Sequence, residues 1–136
     1  MDSLEDLPGI VHGASLAGIR AGLTAEPLGP VSQGVQVAVC KIVREGLSNA
    51  ARHAGPTDVR VGLYRDGADV VVTVADTGPS AGGWQASPGA GHGLAGLRER
   101  VGSLGGVLSA ERVDAGFRLA ARIPDELAAR IPDEAA

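Results

Sequence analysis

Three polar side chains recur at four-residue intervals within one short segment of the chain. The segment VREGLSNAARHAG, residues 43 to 55, contains Glu45, Asn49 and His53, and Arg52 stands beside the last of these. Residues four apart lie on the same side of an α-helix. A carboxylate, an amide and two cationic or titratable groups would then share one edge, where they can bind a polar ligand in a cleft. The alternative is a solvated flank, with His53 favourably placed near the helix C-terminus.

A second candidate group follows an apolar segment. In VVVTVADTG, the valine-rich run ends at Asp76, Thr77 and Gly78. An ionised carboxylate only accepts hydrogen bonds, which suits the exocyclic amine of a purine at the mouth of a pocket. An Asp after a strand also often begins a turn, and the segment alone leaves both interpretations open.

A third candidate is the glycine-rich segment GAGHGLAGLRERV, in which Gly89, Gly91 and Gly93 lead into a helix. Backbone N–H groups at such a helix entry can point at an anion, which the helix dipole also favours. Neither the dinucleotide-binding fingerprint nor the P-loop pattern is present. The segment by itself is therefore weak evidence for a phosphate site.

The elements that must position these groups can also be predicted. A long helix is expected from about Ser32 to Ala54, with Val39, Val43, Leu47, Ala50 and Ala54 on its buried side and the Glu45 to His53 edge at the border with solvent. Residues 58 to 76 read as a hairpin that turns at Asp66 and Gly67, and its second strand is expected to be central.

The remaining segments predict smaller elements around this centre. We expect a short helix capped by Asp6, an edge strand in GIRAGLTA, a helix from Gly93 whose apolar face includes Leu94 and Leu97, and a second hairpin turning near Asp114. Residues 77 to 93 are predicted to form a long loop, typical of a functional lid or of a disordered segment, that contains the single tryptophan, Trp84. Residues 1 to 125 are predicted to be one domain and residues 126 to 136 a tail.

Composition excludes several classes of protein. The chain has 136 residues and a net charge of −4, and its 12 basic residues are scattered, which argues against nucleic-acid binding. No apolar run is long enough to span a bilayer, and no signal peptide begins the chain. Aromatic residues make up only 2%, so the core must consist of Val, Leu, Ile and Ala. These features predict a cytoplasmic domain without direct membrane contact.

The candidate groups follow one another in a recognisable order. The order is Glu45, Asn49, Arg52 and His53, then Asp76 and Gly78, then a lid-like loop, and finally Gly89 to Leu94. The chain resembles the ATP-binding domain of the superfamily of gyrase, Hsp90, histidine kinases and MutL (GHKL). REGLSNAARHAG and GHGLAGLRERVGSLGG look most like sensor histidine kinases of the NarL/DesK type. The resemblance implies a two-layer α/β sandwich, a mixed sheet with helices on one face, that binds ATP and Mg²⁺.

The resemblance also implies roles for individual residues. Asn49 would be a Mg²⁺ ligand, Glu45 a general base or the group that orients the acceptor, and Asp76 the acceptor for adenine. The other nucleotide-binding positions would be Arg52, His53, Gly78, Gly89, Gly91, His92, Gly93 and Leu94. Two positions depart from the family pattern on the adenine side, because Ser80 replaces a frequent Gly and Phe117 a frequent Thr.

The phosphoacceptor of this family is a His followed by an acidic residue on a separate dimerisation bundle. The contexts here are His12-Gly13, His53-Ala54 and His92-Gly93, and none fits. The expected function is therefore phosphorylation of a histidine on a bundle of the same or another kinase chain, followed by transfer to a response regulator. This chain alone should be monomeric and should not autophosphorylate. A stand-alone serine kinase of the anti-sigma-factor type and a non-enzymatic nucleotide-sensing module are the alternatives.

Overall fold

The structure is a computed structural model that describes residues 3–16, 18–53, 57–78, 90–114 and 116–125. The side chains of residues 53 and 90 to 92 are not part of that description. Several sequence predictions therefore lie outside the described residues: the positions of Ser80, Trp84 and Gly89, the lid, and the tail at 126 to 136.

A five-stranded sheet and three helices make up the described chain. The elements run in the order 3₁₀ turn (Leu4–Asp6), α1 (Leu7–Leu16), β1 (Arg20–Ala25), α2 (Gln33–His53), β2 (Asp58–Asp66), β3 (Asp69–Asp76), α3 (Ala90–Ser103), β4 (Val107–Val113), β5 (Gly116–Pro124). The strand order in the sheet is β1-β2-β3-β5-β4. Strand β1 pairs with β2 in parallel and the other pairs are antiparallel, so the sheet is mixed as expected.

The most apolar strand occupies the middle of this sheet. β3 lies between β2 and β5, which confirms the prediction of a central strand. Its residues Val70, Val72 and Val74 are buried and face the helices. In β2 the alternation is strict, since Val59, Val61 and Leu63 are buried and the residues between them are not. Valine suits a pleated surface that is covered on one side, and aliphatic side chains thus form the core.

Helix α2 covers the sheet through the apolar face that its sequence predicts. Val39, Val43, Leu47 and Ala50 are buried, whereas Lys41, Arg44 and Ser48 are exposed. Gly46 allows the closest approach, because a β-carbon there would lie 2.5 Å from Cγ1 of Val74 in β3. The long helix is therefore seated directly on the central strand.

Helix α3 begins earlier than its sequence indicates. The predicted start at Gly93 is wrong, because the helix already includes Ala90. Leu97 and Val101 are buried, and Leu94 and Leu104 pack against the core, so the predicted apolar face is confirmed. Gly91 and Gly93 consequently belong to the first turn of α3 rather than to a loop before it.

Two other local predictions need small corrections. The first helical segment begins one turn before α1, and the carboxylate of Asp6 accepts a hydrogen bond from the backbone N–H of Ser3 at 2.9 Å. The first hairpin turns at Gly67 and Ala68, one residue later than predicted, with Gly67 at a φ of 63°. The second hairpin turns after Val113 as predicted, with Asp114 at a φ of 55°.

Among the described helices, none is long and apolar enough to cross a membrane.

Candidate functional site

Three polar residues of α2 form one connected cluster. A guanidinium nitrogen of Arg52, Nη2, donates a hydrogen bond to Oδ1 of Asn49 at 2.5 Å. The same nitrogen lies 3.5 Å from Oε1 of Glu45, which makes an ion pair. The four-residue spacing therefore brings Glu45 and Asn49 to one side of the helix, as predicted, and Arg52 bridges them.

Asn49 is more deeply placed than the sequence indicates. We expected it at the border between the buried and solvent faces of α2, but only 3% of its surface is exposed. A buried amide needs a hydrogen-bond partner, and Arg52 supplies it for the side-chain oxygen. Asn49 is thus both buried in the packing of α2 and part of the polar cluster. The helix periodicity alone does not show whether a residue at the border of the apolar face is buried.

The first turn of α3 meets this cluster at Gly93. A β-carbon at Gly93 would lie 2.6 Å from Cδ of Glu45 and still closer to Oε1 of the same carboxylate. Only glycine permits this approach without a shift of Glu45 or of the helix. The N-terminal turn of a helix favours anions through its free N–H groups and its dipole, and Glu45 places a carboxylate there. Helix α2 thereby contacts the first turn of α3 through Glu45.

Asp76 ends β3 on the sheet face that the helices cover. Its Oδ1 accepts a hydrogen bond from the backbone N–H of Gly78 at 2.8 Å. Burial raises the pKa of Asp76 above its usual value, and the backbone hydrogen bonds from Gly78 and Phe117 oppose this rise. The carboxylate is fixed by backbone donors and needs no side-chain partner for its orientation. Gly78 itself has a φ of 85°, which glycine adopts without strain.

Phe117 contacts Asp76 through its backbone, although its side chain departs from the family pattern. Phe117 lies opposite Asp76 in the pairing of β5 with β3. Its N–H contributes to the environment of the carboxylate whatever side chain the position carries. The substitution therefore leaves a donor next to Asp76.

The sequence did not single out Thr57, although it helps to fix the strand end. Thr57 is 5% exposed, and its hydroxyl lies 3.1 Å from the hydroxyl of Thr77. The backbone N–H of Thr77 also donates to the carbonyl of Asp58 at 3.1 Å. The sequence contains one signal for this contact, which is that the two threonines flank the predicted hairpin. It does not indicate that their side chains meet.

The predicted site residues thus fall into two groups. Glu45, Asn49, Arg52 and Gly93 form one contiguous cluster between α2 and α3, and Asp76 and Gly78 form a second at the end of β3, the strand on which α2 is seated. Gly91 lies in the first turn of α3, and Leu94 is half-buried against the core. His53 and His92 lie on α2 and α3, but their side chains are outside the described part of the structure.

The chemistry of these donors suits a magnesium nucleotide. Mg²⁺ prefers oxygen ligands and is usually held by one or two protein side chains together with phosphate oxygens and water. Asn49 and Glu45 supply such oxygens. Within the described ranges, no three His, Cys, Asp or Glu side chains are grouped so that they could hold a metal by themselves. Side-chain oxygens of this kind fit a metal that is shared with phosphate oxygens and water.

A family model matches most of the chain. Residues 34 to 127 match the family described as histidine kinase-, DNA gyrase B- and HSP90-like ATPase. The match begins at the start of α2 and continues past β5, so it includes both groups of site residues. It accounts for well over half of the chain.

Curated relatives agree with this family. The sensor histidine kinase NarS of Mycobacterium tuberculosis is 37% identical over 98 residues, which is 70% of this chain and 23% of that protein. The sensor histidine kinase YxjM of Bacillus subtilis is 29% identical over 131 residues, or 91% of this chain and 30% of that protein. The chain spans less than a third of either relative.

Solved structures share the fold. The histidine kinase domain of a blue-light activated histidine kinase from Erythrobacter litoralis aligns with a TM-score of 0.66 and 23% identity, covering 90% of this chain and 58% of that one. The catalytic domain of the histidine kinase ThkA aligns with a TM-score of 0.66 and 16% identity, covering 88% and 93%. Family model, relatives and fold agree that the chain belongs to the histidine kinase-, DNA gyrase B- and HSP90-like ATPases, as an ATP-binding domain of the kind found in sensor histidine kinases.

Proposed function

We propose that this chain binds Mg²⁺-ATP between α2, α3 and the end of β3, and transfers the γ-phosphate to a histidine on a dimerisation bundle of the same or another kinase chain. The observation that carries the proposal is the cluster of Glu45, Asn49 and Arg52 against Gly93. Glu45 meets the N-terminal turn of α3, a position that favours phosphates, and Asn49 and Arg52 are joined to Glu45 in the same cluster.

Asp76 supports adenine as the base. Its carboxylate is oriented by backbone N–H groups and lies at the end of the strand beneath α2. The exocyclic amine of adenine donates hydrogen bonds, which an ionised carboxylate accepts. Guanine carries an acceptor at the same position and would meet a group that cannot donate. The carboxylate therefore selects adenine over guanine.

The α2 cluster supports the phosphate end of the same site. Asn49 would hold Mg²⁺ through Oδ1, and Glu45 would orient the acceptor histidine or accept its proton. Arg52 would pair with phosphate oxygens, as guanidinium groups do. When bound, Mg²⁺ neutralises charge that develops on the transferred phosphoryl group. His53, His92, Gly89 and Gly91 complete the proposed nucleotide-binding set.

The relatives favour this function over its alternatives. Both proteins reported above are named sensor histidine kinases, which supports a histidine over a serine as the acceptor and a catalytic over a purely nucleotide-sensing domain. A response regulator would receive the phosphoryl group, and the domain would work in the cytoplasm, where ATP and regulators are present.

The decisive experiment supplies the missing acceptor. The chain is incubated with radiolabelled ATP, Mg²⁺ and a purified histidine bundle from a NarL/DesK-type kinase. We expect phosphate on the bundle that is lost in acid and stable in base, as a phosphohistidine is. Asn49→Ala should abolish the transfer, whereas Ser48→Ala, on the exposed side of the same helix, should not. Acid-stable phosphate, or ATP binding without transfer to any bundle, would favour one of the two alternatives.

A further inference from the structure

A single nitrogen of Arg52 serves two oxygens. Nη2 donates to Oδ1 of Asn49 at 2.5 Å and lies 3.5 Å from Oε1 of Glu45. The proposed function assigns the first of these residues, Asn49, to the metal and the second, Glu45, to the acceptor histidine. A guanidinium remains charged at any pH a protein tolerates. In the free protein, the two oxygens therefore already have a cation.

The burial of these groups shows how that cation is held. Asn49 is 3% exposed and the Glu45 side chain is 22% exposed, whereas half of the Arg52 side chain, 49%, is exposed. The oxygens are fixed by packing, and Arg52 reaches them from the solvent side. Its guanidinium can leave them without opening the core, because half of the Arg52 side chain is already exposed.

We propose that Arg52 occupies the divalent-cation position in the free protein, and that nucleotide phosphates withdraw its guanidinium, so that a metal reaches Asn49, beside Glu45, only together with a phosphate. The inference rests on the proposed function, whose nucleotide site it regulates. Two cations cannot share one pair of oxygens at these distances, because their repulsion is several kcal/mol even at an intermediate dielectric of about 20.

Phosphate is the partner that can draw Arg52 away. A guanidinium binds phosphate oxygens through two parallel charge-assisted hydrogen bonds, which are stronger than its single bond to a neutral amide. Once Arg52 moves, Oδ1 of Asn49 loses its described partner, and a buried oxygen without a partner is unfavourable. A metal that arrives with the phosphate satisfies that oxygen. Arg52 thus makes metal and phosphate binding mutually dependent, as reciprocal coupling requires.

The experiment observes the oxygens directly and does not need catalysis. Mn²⁺ is used as a paramagnetic probe, and the side-chain amide signals of Asn49 are followed by ¹⁵N NMR. In the wild-type chain, Mn²⁺ alone should leave these signals sharp, and Mn²⁺ with ADP should broaden them. In Arg52→Gln, where the side chain at position 52 is uncharged, Mn²⁺ alone should broaden the Asn49 signals. Arg52→Lys should restore the wild-type response, because it retains a cation.

The controls separate failure of the inference from failure of the proposed function. Arg60→Gln removes an exposed arginine from the opposite face of the sheet and should behave as the wild type does. A wild-type chain that binds no ADP at all, with or without metal, would overturn the proposed function. Two outcomes would overturn the inference while ADP binding remains normal. The first is broadening of the wild-type Asn49 signals by Mn²⁺ alone, and the second is that Mn²⁺ alone leaves the Asn49 signals of Arg52→Gln sharp. Amide spectra of each variant report whether the fold is retained.

Discussion

Gly116 in β5 lies directly against the backbone of Asp76 in β3. A β-carbon at position 116 would collide with the carbonyl oxygen of Asp76, and it would lie 2.9 Å from the carbonyl carbon and 3.1 Å from the nitrogen of Gly78. These contacts involve backbone atoms, which cannot turn aside as a side chain can. The start of β5 therefore sets the position of the residue that we assign to adenine.

Replacing Gly116 with Ala should both destabilise the chain and weaken nucleotide binding. The added methyl must displace the backbone at Asp76 and Gly78, and overpacking of this kind costs about 1–3 kcal/mol. Thermal unfolding and ATP titration calorimetry measure the two effects. Gly102→Ala is the matched control, because a β-carbon there meets nothing within 4 Å. Equal behaviour of the two variants would show that β5 does not position Asp76.

Asp76 should make the chain prefer ATP over GTP. The carboxylate cannot donate to the guanine carbonyl, and an unpaired or repulsive contact costs about 1–3 kcal/mol, which corresponds to at least a tenfold preference at the middle of this range. Calorimetry with both nucleotides measures it. Equal affinities would remove Asp76 from this role.

The preference for ATP should decrease in acid. Because burial raises the pKa of Asp76, the carboxyl group gains its proton at a higher pH than an exposed aspartate does. It then becomes a donor as well as an acceptor, so discrimination is complete above the raised pKa and is lost as pH falls through it. The ratio of ATP to GTP affinity is the suitable measurement, since phosphate titration affects both nucleotides alike. In Asp76→Asn the ratio should be small and independent of pH.

Asn49→Ala should weaken Mg²⁺-dependent nucleotide binding and also lower stability. A residue at the border of the buried face, as the sequence predicts, would contribute little to stability, but the buried position of Asn49 and its bond to Arg52 predict a loss of about 1–2 kcal/mol. Chemical denaturation and calorimetry with and without Mg²⁺ separate the effects. Ser48→Ala serves as the control on the exposed side of α2. Unchanged Mg²⁺ dependence in Asn49→Ala would exclude it as a metal ligand.

The sequence predicts most of the fold because its patterns are local. The apolar stripe of α2 and the valines of β2 and β3 place helix and sheet in contact, and the family motifs indicate which polar residues meet. The local patterns of the sequence do not predict contacts between distant segments. Examples are the contacts of Gly93 with Glu45, of Gly116 with Asp76, and between the hydroxyls of Thr57 and Thr77. The burial of Asn49 also depends on what α3 and the sheet bring next to it, which helix periodicity does not contain.

The isolated chain should be monomeric and should not phosphorylate itself. None of its three histidines precedes an acidic residue, and His12 is exposed on α1. Size-exclusion chromatography with light scattering, and incubation with radiolabelled ATP in the absence of a bundle, test both statements. Acid-labile phosphate on the chain would contradict the second, and substitution of each histidine in turn would then identify the acceptor.

The close contact between Gly46 and Val74 limits how the site can respond to ligands of different size. It joins the helix that carries Asn49 to the strand that ends in Asp76, and a β-carbon at Gly46 would lie only 2.5 Å from Val74. Because Gly46 has no side chain, α2 and β3 pack closely at this point, and sliding of one over the other would disturb that packing. The separation between Asp76 and Asn49, the residues proposed for the base and the metal, therefore depends on how α2 packs on β3. A ligand that brought these two ends closer would have to disturb this packing, so we expect nucleotides with fewer phosphates to bind without changing the distance between Asn49 and Asp76.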